Sequence, residues 1–398
     1  MKQYIKPTYQ LAQIIKDNRS KLDELNKLNS HQKGVLSCMT MCRTPAMGGQ
    51  SLACKKCGAT HYVYHSCRNR HCNSCGGMKR HQWVKNRKAD MLPVKYFHMV
   101  FTLPHQLNEI CLKNQKPLFD LLMKSAWQTL KQFGKDHKYL GADLGAVMVL
   151  HTWGQNLAYH AHVHCLVPAG GITKQGKWRS TKLNGKFFAP VKQMSKVFRG
   201  KFTDGLIKLY NNKQITLDIP FDKNRKYLHP LYKNKWVVFA KSSMPSGDKV
   251  IDYIGRYVHR VAISNSRIKH YDGNTVSFSW FNYRTSKTQL SPLAAEEFLQ
   301  RFVLHILPKG FPKIRHYGIL ACRNKTQIIQ QVREQMGVKQ NPKPEKLNWM
   351  EIYRELYGKI PMLCKHCKKG ILIIIEQLPP ARDGPINANL NSLIAKNM

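Results

Sequence analysis

Acidic residues are scarce in this chain: 22 Asp and Glu stand against 65 Lys and Arg, a formal charge of +43 over 398 residues, spread along its length. A field of one sign on that scale calls for a polyanionic partner. A membrane surface would answer that description. However, no run of about eighteen apolar residues occurs, the longest candidate being the short stretch Ile371-Leu372-Ile373-Ile374-Ile375, so no spanning helix is expected. Nucleic acid is the expected partner. The first residues, Met1 to Lys6, are basic but lead into polar Gln, Lys and Asp where a secretory signal needs an apolar core, so a cytoplasmic protein is expected. No G-x-x-x-x-G-K-[ST] segment is present, so the chain should not unwind DNA with its own ATP hydrolysis. A host helicase or the replication machinery would then have to expose single strands. There is no internal repeat.

Cysteine, by contrast, is plentiful and unevenly placed: seven of the twelve fall between Cys38 and Cys75. In a chain without a secretory signal, CxxC spacings point to metal rather than disulfides. Cys54-x-x-Cys57 and Cys72-x-x-Cys75 can each form a turn presenting two thiolates, so a tetrahedral zinc on these four is expected. A further site could draw on Cys42, Cys67, His71 and His65. Cys364 and Cys367 make half a site without a visible partner and stay unassigned. Cys111, Cys165 and Cys322 are expected to pack in the interior. Arg68, Arg70, Lys79, Arg80, Arg87 and Lys88 surround the cysteine block and are candidates for gripping DNA.

The length suits two or three domains. The divisions expected are 1–90, a helical and zinc-binding module that recognises DNA; 91–322, a mixed α/β domain; and 323–398, a helical extension with the last CxxC pair and a disordered tail. Within the middle domain, Tyr96 to Leu103 reads as a strand, and Leu118, Leu121, Leu122, Ala126, Leu130 and Phe133 mark an amphipathic helix. Ala146 to Trp153 and His160 to Val167 read as an antiparallel hairpin, and Gly170 to Lys235 as basic and loop-rich. Trp236 to Ala240 reads as a strand, Asp248 to Val261 as a helix and Thr275 to Phe281 as a strand. Ser291-Pro292 reads as the cap of a helix running to about Ile306.

Along an extended strand alternate side chains share a face, so His160, His162 and His164 point one way while Ala161, Val163 and Cys165 point into the core. Histidines at period two opposite an apolar face favour a metal-ligand set. A third ligand should come from nearby, with Gln155 and His151 competing. Two imidazoles and an amide oxygen leave positions open, which suits Mg²⁺ or Mn²⁺ gripping a phosphate. Tyr253 and Tyr257, four residues apart on the expected helix, share one face at about 5–6 Å between Cβ atoms. With a reference pKa of about 10, a phenol attacks a phosphate ester only with help, which the cation would supply.

These words together resemble a known family. His162-Val163-His164 looks like the HUH motif, and Tyr253-x-x-x-Tyr257 resembles the paired tyrosines of rolling-circle insertion-sequence transposases. The segments His151 to Gln155, His160 to Val167, Tyr253 to Ile263 and Arg315 to Gly318 are similar to that family's blocks, and Cys67-Arg68-Asn69-Arg70-His71-Cys72 resembles its N-terminal transposase zinc-binding region. The likeness spans roughly residues 35 to 325. One departure is Ala161, where many members carry Pro.

The resemblance implies an HUH nuclease domain with a mainly antiparallel sheet flanked by helices. It implies a transposase acting as single-strand DNA endonuclease and strand transferase, on transposon ends and target. One strand is nicked, its 5′ end is held as a phosphotyrosine, and a free 3′-hydroxyl is left. A second tyrosine can capture a second strand, and Arg256 between the two would contact DNA. HUH nucleases often take a third ligand from Gln or Glu about seven positions before the first histidine, which ranks Gln155 above His151. Structural Zn²⁺ and catalytic Mg²⁺ or Mn²⁺ are the cofactors implied. A replication initiator or relaxase would use the same chemistry, and a non-catalytic zinc-dependent regulator would need only the charge and the cysteines. The zinc module ahead of the nuclease favours the transposase.

Overall fold

The computed structural model describes residues 7–25, 28–217, 229–244, 255, 261–283, 285–321, 323, 325–339 and 347–381. Tyr253, Arg256, Tyr257 and Cys322 lie outside them. In chain order the strands are β1 (Gly49–Cys54), β2 (Thr60–Tyr64), β3 (Tyr96–Thr102), β4 (Gly145–Trp153), β5 (Tyr159–Pro168), β6 (Gly170–Ile172), β7 (Trp178–Ser180), β8 (Val237–Met244), β9 (Ile268–Tyr271), β10 (Thr275–Asn282), β11 (Lys287–Ala294), β12 (Ile314–Gly318) and β13 (Leu372–Leu378). They form antiparallel sheets flanked by helices, an α/β architecture.

The sheet that matters for chemistry has five strands in the order β12-β4-β5-β3-β8. One face is apolar and continuous, since Phe97, Met99 and Phe101 of β3, Ala146, Met148 and Leu150 of β4, and Ala161, Val163 and Cys165 of β5 alternate inward along their strands. Two 21-residue helices, Gln115–Lys135 and Val191–Asn211, cover that face. Each fully buried Leu or Phe there contributes about 1.5–3 kcal/mol, and that burial anchors the sheet. On the other face, Tyr96, Val149 and Leu166 at one end are covered by Ile319, Ile329 and Val332. At the other end of that face the side chains are histidines.

The helix over Gln115–Lys135 follows the spacing of its leucines, and the β4–β5 hairpin follows its alternation. Two expectations need correction. The stretch Gly170 to Lys235 contains the helix Val191–Asn211, whose Met194, Phe198, Phe202 and Leu206 are buried at four-residue steps that its many lysines obscure. Pro292 does not start a helix: it sits within β11, an edge strand whose open side tolerates a residue without N–H, and the helix begins at Ala295.

A second core joins the N-terminal helices, through Leu11, Ile14, Ile15, Leu36 and Met39, to the β11-β10-β9 sheet and the helix Ala295–Val303. The third sheet, β13-β1-β2, pairs the end of the described chain with its beginning, with Cys54 opposite Leu372. Contacts therefore cross both boundaries drawn at residues 90 and 322. Among the described residues no helix is long and apolar enough to cross a membrane.

Candidate functional site

The β4–β5 pairing sets His151 directly opposite His162. Their side chains share the sheet face with His164, two residues on, and one ring nitrogen from each of the three lies within 4.8 Å of the others. His162 Nδ1–H donates to the His160 carbonyl at 2.7 Å, which fixes the ring and leaves Nε2 as its lone-pair donor. Burial, with His160 next in weight, holds the His162 pKa down to about 3, so the ring is neutral and able to ligate at ordinary pH. His151 is buried and stacks on Trp153 with centroids 4.6 Å apart.

The structure places both candidates for the third ligand. It is His151 whose nitrogen meets those of His162 and His164, because cross-strand pairing brings it there. Gln155, in the turn beyond the strand end, donates its side-chain amide to the Tyr283 hydroxyl at 3.0 Å, and its carbonyl accepts from Arg267. Sequence reasoning also passed over His98. From β3 it faces His164, Nε2 to Nδ1 at 2.9 Å with the rings stacked at 5.1 Å, and burial holds its pKa down to about 4. The only signal was a histidine within the apolar run Tyr96 to Thr102.

The cysteines pair differently from expectation. Cys42, Cys67, Cys72 and Cys75 form one cluster with sulfurs within 4.8 Å of one another. Cys67 and Cys75 are 3.8 Å apart, which matches the edge, about 3.8 Å, of a tetrahedron with Zn–S near 2.3 Å. Hydrogen bonds from Cys67 and its neighbours push Cys42 towards thiolate and push Cys67 the other way, as expected of thiols that share protons when crowded. Cys54 and Cys57 are not with Cys72 and Cys75; β13 carries Cys364 and Cys367 to them instead. Nor do His71 and His65 join Cys42 and Cys67. His71 is buried beside Arg70 and Lys313 with its pKa down to about 3, and His65 is exposed, its backbone N–H bonded to Gly48.

Residues 145–327 match the family described as "Putative transposase", and residues 13–103 match the "Transposase zinc-binding domain". "Putative transposase y4qJ" of Sinorhizobium fredii is 39% identical over 361 residues, which is 88% of this chain and 90% of that protein. The chain belongs to the IS91-type rolling-circle transposases. This transposase is also 28% identical, over 83% of its length and 80% of the other's, to the transposase for insertion sequence element IS801 of Pseudomonas savastanoi pv. phaseolicola. A solved conjugative relaxase TrwC in complex with oriT DNA aligns with 42% of the transposase and 71% of its own chain, at 10% identity and a TM-score of 0.25.

Of the residues from Tyr253 to Tyr257 of the transposase, Gly255 is described: it is helical, and a Cβ there would strike Val84 of the helix Gly77–Ala89. Gly255, between the two tyrosines, therefore packs against the helix that follows the first cysteine cluster. Beside that cluster runs a groove of about 1480 Å³, lined among others by Lys16, Arg43, Asn73, Arg80, Asn265 and Tyr357. Of the expected DNA-binding cations, Arg68, Arg70, Lys79 and Arg80 are exposed. Arg87 pairs with Asp90 at 2.9 Å, and Arg70 donates to the carbonyls of Pro308 and Phe311, so these two hold the fold together.

Proposed function

We propose that this transposase nicks and rejoins single-stranded DNA through a covalent tyrosine intermediate at the His151–His162–His164 cluster. The observation that carries the reading is that three imidazoles converge on one face of the sheet. A bound divalent cation would polarise the scissile phosphate and stabilise charge on the departing oxygen. An all-nitrogen donor set suits Mn²⁺ or another borderline ion better than Mg²⁺, which prefers oxygen.

The chain's own residues do the rest. Tyr253 or Tyr257 attacks the phosphorus: the phenol oxygen forms the new P–O bond, the P–O3′ bond breaks, and the proton lost by the phenol is balanced by the one the 3′-oxygen gains. The 5′ end stays on the protein and the 3′-hydroxyl is free. Attack by that hydroxyl, or one from another strand, reverses the step, and the second tyrosine allows a second 5′ end to be held meanwhile. With the proton on His164 Nδ1, His98 accepts the hydrogen bond, and His164 Nε2 would be left to hold the cation. The groove at Arg80 guides the strand, and Cys42, Cys67, Cys72 and Cys75 hold a structural zinc that stiffens its wall.

Incubating the transposase with single-stranded oligonucleotides carrying a transposon end tests this reading. The expected products are a 3′ end that a polymerase extends and a 5′ end that a kinase cannot label. Both should require a divalent ion. Products with a free 5′-phosphate would mean that water, not tyrosine, is the nucleophile.

A further inference from the structure

The matched zinc-binding region ends at residue 103, yet two of its cysteines find their partners at the other end of the chain. We infer that Cys54, Cys57, Cys364 and Cys367 hold a second structural zinc, which clasps the C-terminal segment onto the N-terminal module.

The two CxxC turns are built alike. In each, the amide after the second cysteine bonds back to the carbonyl of the first, Gly58 N–H to Cys54 and Lys368 N–H to Cys364, both at 3.0 Å. In each, that following residue is left-handed, Gly58 at φ 67° and Lys368 at φ 55°. An amide also points at a sulfur in each, Lys56 N–H to Cys54 Sγ at 3.4 Å and Gly370 N–H to Cys367 Sγ at 3.3 Å. Such bonds stabilise thiolates and leave the sulfur lone pairs facing inward.

The sulfurs face one another across the two turns. Cys54 to Cys367 is 3.7 Å and Cys57 to Cys364 is 3.8 Å, against an edge of about 3.8 Å for a ZnS₄ tetrahedron and about 2.05 Å for a disulfide. Four thiolates on Zn²⁺ leave a charge of −2. Lys55, Lys56, Lys365, Lys368 and Lys369 lie in or beside the turns to offset it.

Something other than burial must hold this end in place. Of β13 only Leu372 is buried, and Ile373, Ile374 and Ile375 are 39–55% exposed. The local core is four buried residues, two of them these cysteines. Binding of a structural zinc is coupled to folding and can take the place of the core that a segment so poor in apolar burial lacks.

Zinc counting by native mass spectrometry on the full chain, in a His162→Ala background so that only sulfur-held ions register, decides the matter. Two ions are expected. Cys54→Ser/Cys57→Ser and Cys364→Ser/Cys367→Ser should each remove one, and the quadruple variant should remove no more. Cys67→Ser/Cys75→Ser should remove the other. Should the serine variants fail to fold, Cys367→His, which keeps a ligand, is expected to retain the ion. Gly370→Ala, whose Cβ would press on Cys54 Sγ, is expected to weaken it while leaving the first site filled. Two ions surviving in Cys364→Ser/Cys367→Ser, or a single wild-type ion that leaves with Cys67 and Cys75, would overturn the clasp and leave the first site standing.

Discussion

His98 Nε2 lies 2.9 Å from His164 Nδ1, so one of the two nitrogens must carry the proton between them. If His164 Nε2 serves as a ligand, the proton sits on its Nδ1 and His98 is the acceptor. Replacing His98 by Leu removes the acceptor that His98 offers to that N–H, and metal affinity should fall about 10–100-fold. His98→Gln, which can still accept, should recover part of it. Cleavage measured across a Mn²⁺ titration checks this: the midpoint should move while the rate at saturating metal stays near wild type.

The ligand order is tested by pairing two substitutions. His151→Ala should weaken metal binding beyond the roughly 100-fold range of an outer partner, whereas Gln155→Ala should leave it within a few-fold. Calorimetric titration with Mn²⁺ reads both. The reverse order would restore the amide oxygen as third ligand.

Stability should fall on mild acidification. Burial holds His305 to about pKa 4, in a site where Nε2–H donates to the Leu157 carbonyl and Nδ1 accepts from Thr152. His316 is likewise lowered to about 4 by burial and by Arg87 and Lys325. The unfolded chain takes up these protons from about pH 6.5 downward and the folded chain does not, so stability is lost between pH 6.5 and 4. His305 alone would contribute on the order of 3 kcal/mol to that loss. Urea denaturation across this window should show a shallower pH slope in His305→Gln.

Binding to single strands should weaken with salt, each neutralised phosphate adding a slope of about −0.7 in log affinity against log salt. Arg80→Ala should reduce the slope by about that amount. Arg87→Ala should leave it unchanged and lower stability instead, since its guanidinium serves Asp90.

What could be read from the sequence was whatever local periodicity encodes. The histidine strand declared itself because Ala161, Val163 and Cys165 alternate with His160, His162 and His164, and the buried face is set by the same pattern. For the third ligand, spacing along the chain favoured Gln155, while register across the hairpin brings His151 opposite His162. The pairing of Cys54 and Cys57 with Cys364 and Cys367 could not be read: Cys54 and Cys367 are 313 residues apart, and the β1–β13 ladder brings them together. The helix Val191–Asn211 was legible in its Met194, Phe198, Phe202 and Leu206 steps but was masked by the basic residues between them.

The most direct test is to digest the transposase after reaction with a transposon-end oligonucleotide and to map the nucleotide-bearing peptide by mass spectrometry. The adduct is expected on Tyr253 or Tyr257. It should be absent from the Tyr253→Phe/Tyr257→Phe variant and greatly reduced in His162→Ala. An adduct of undiminished yield in the double phenylalanine variant, or one carried by any other residue, would contradict the account.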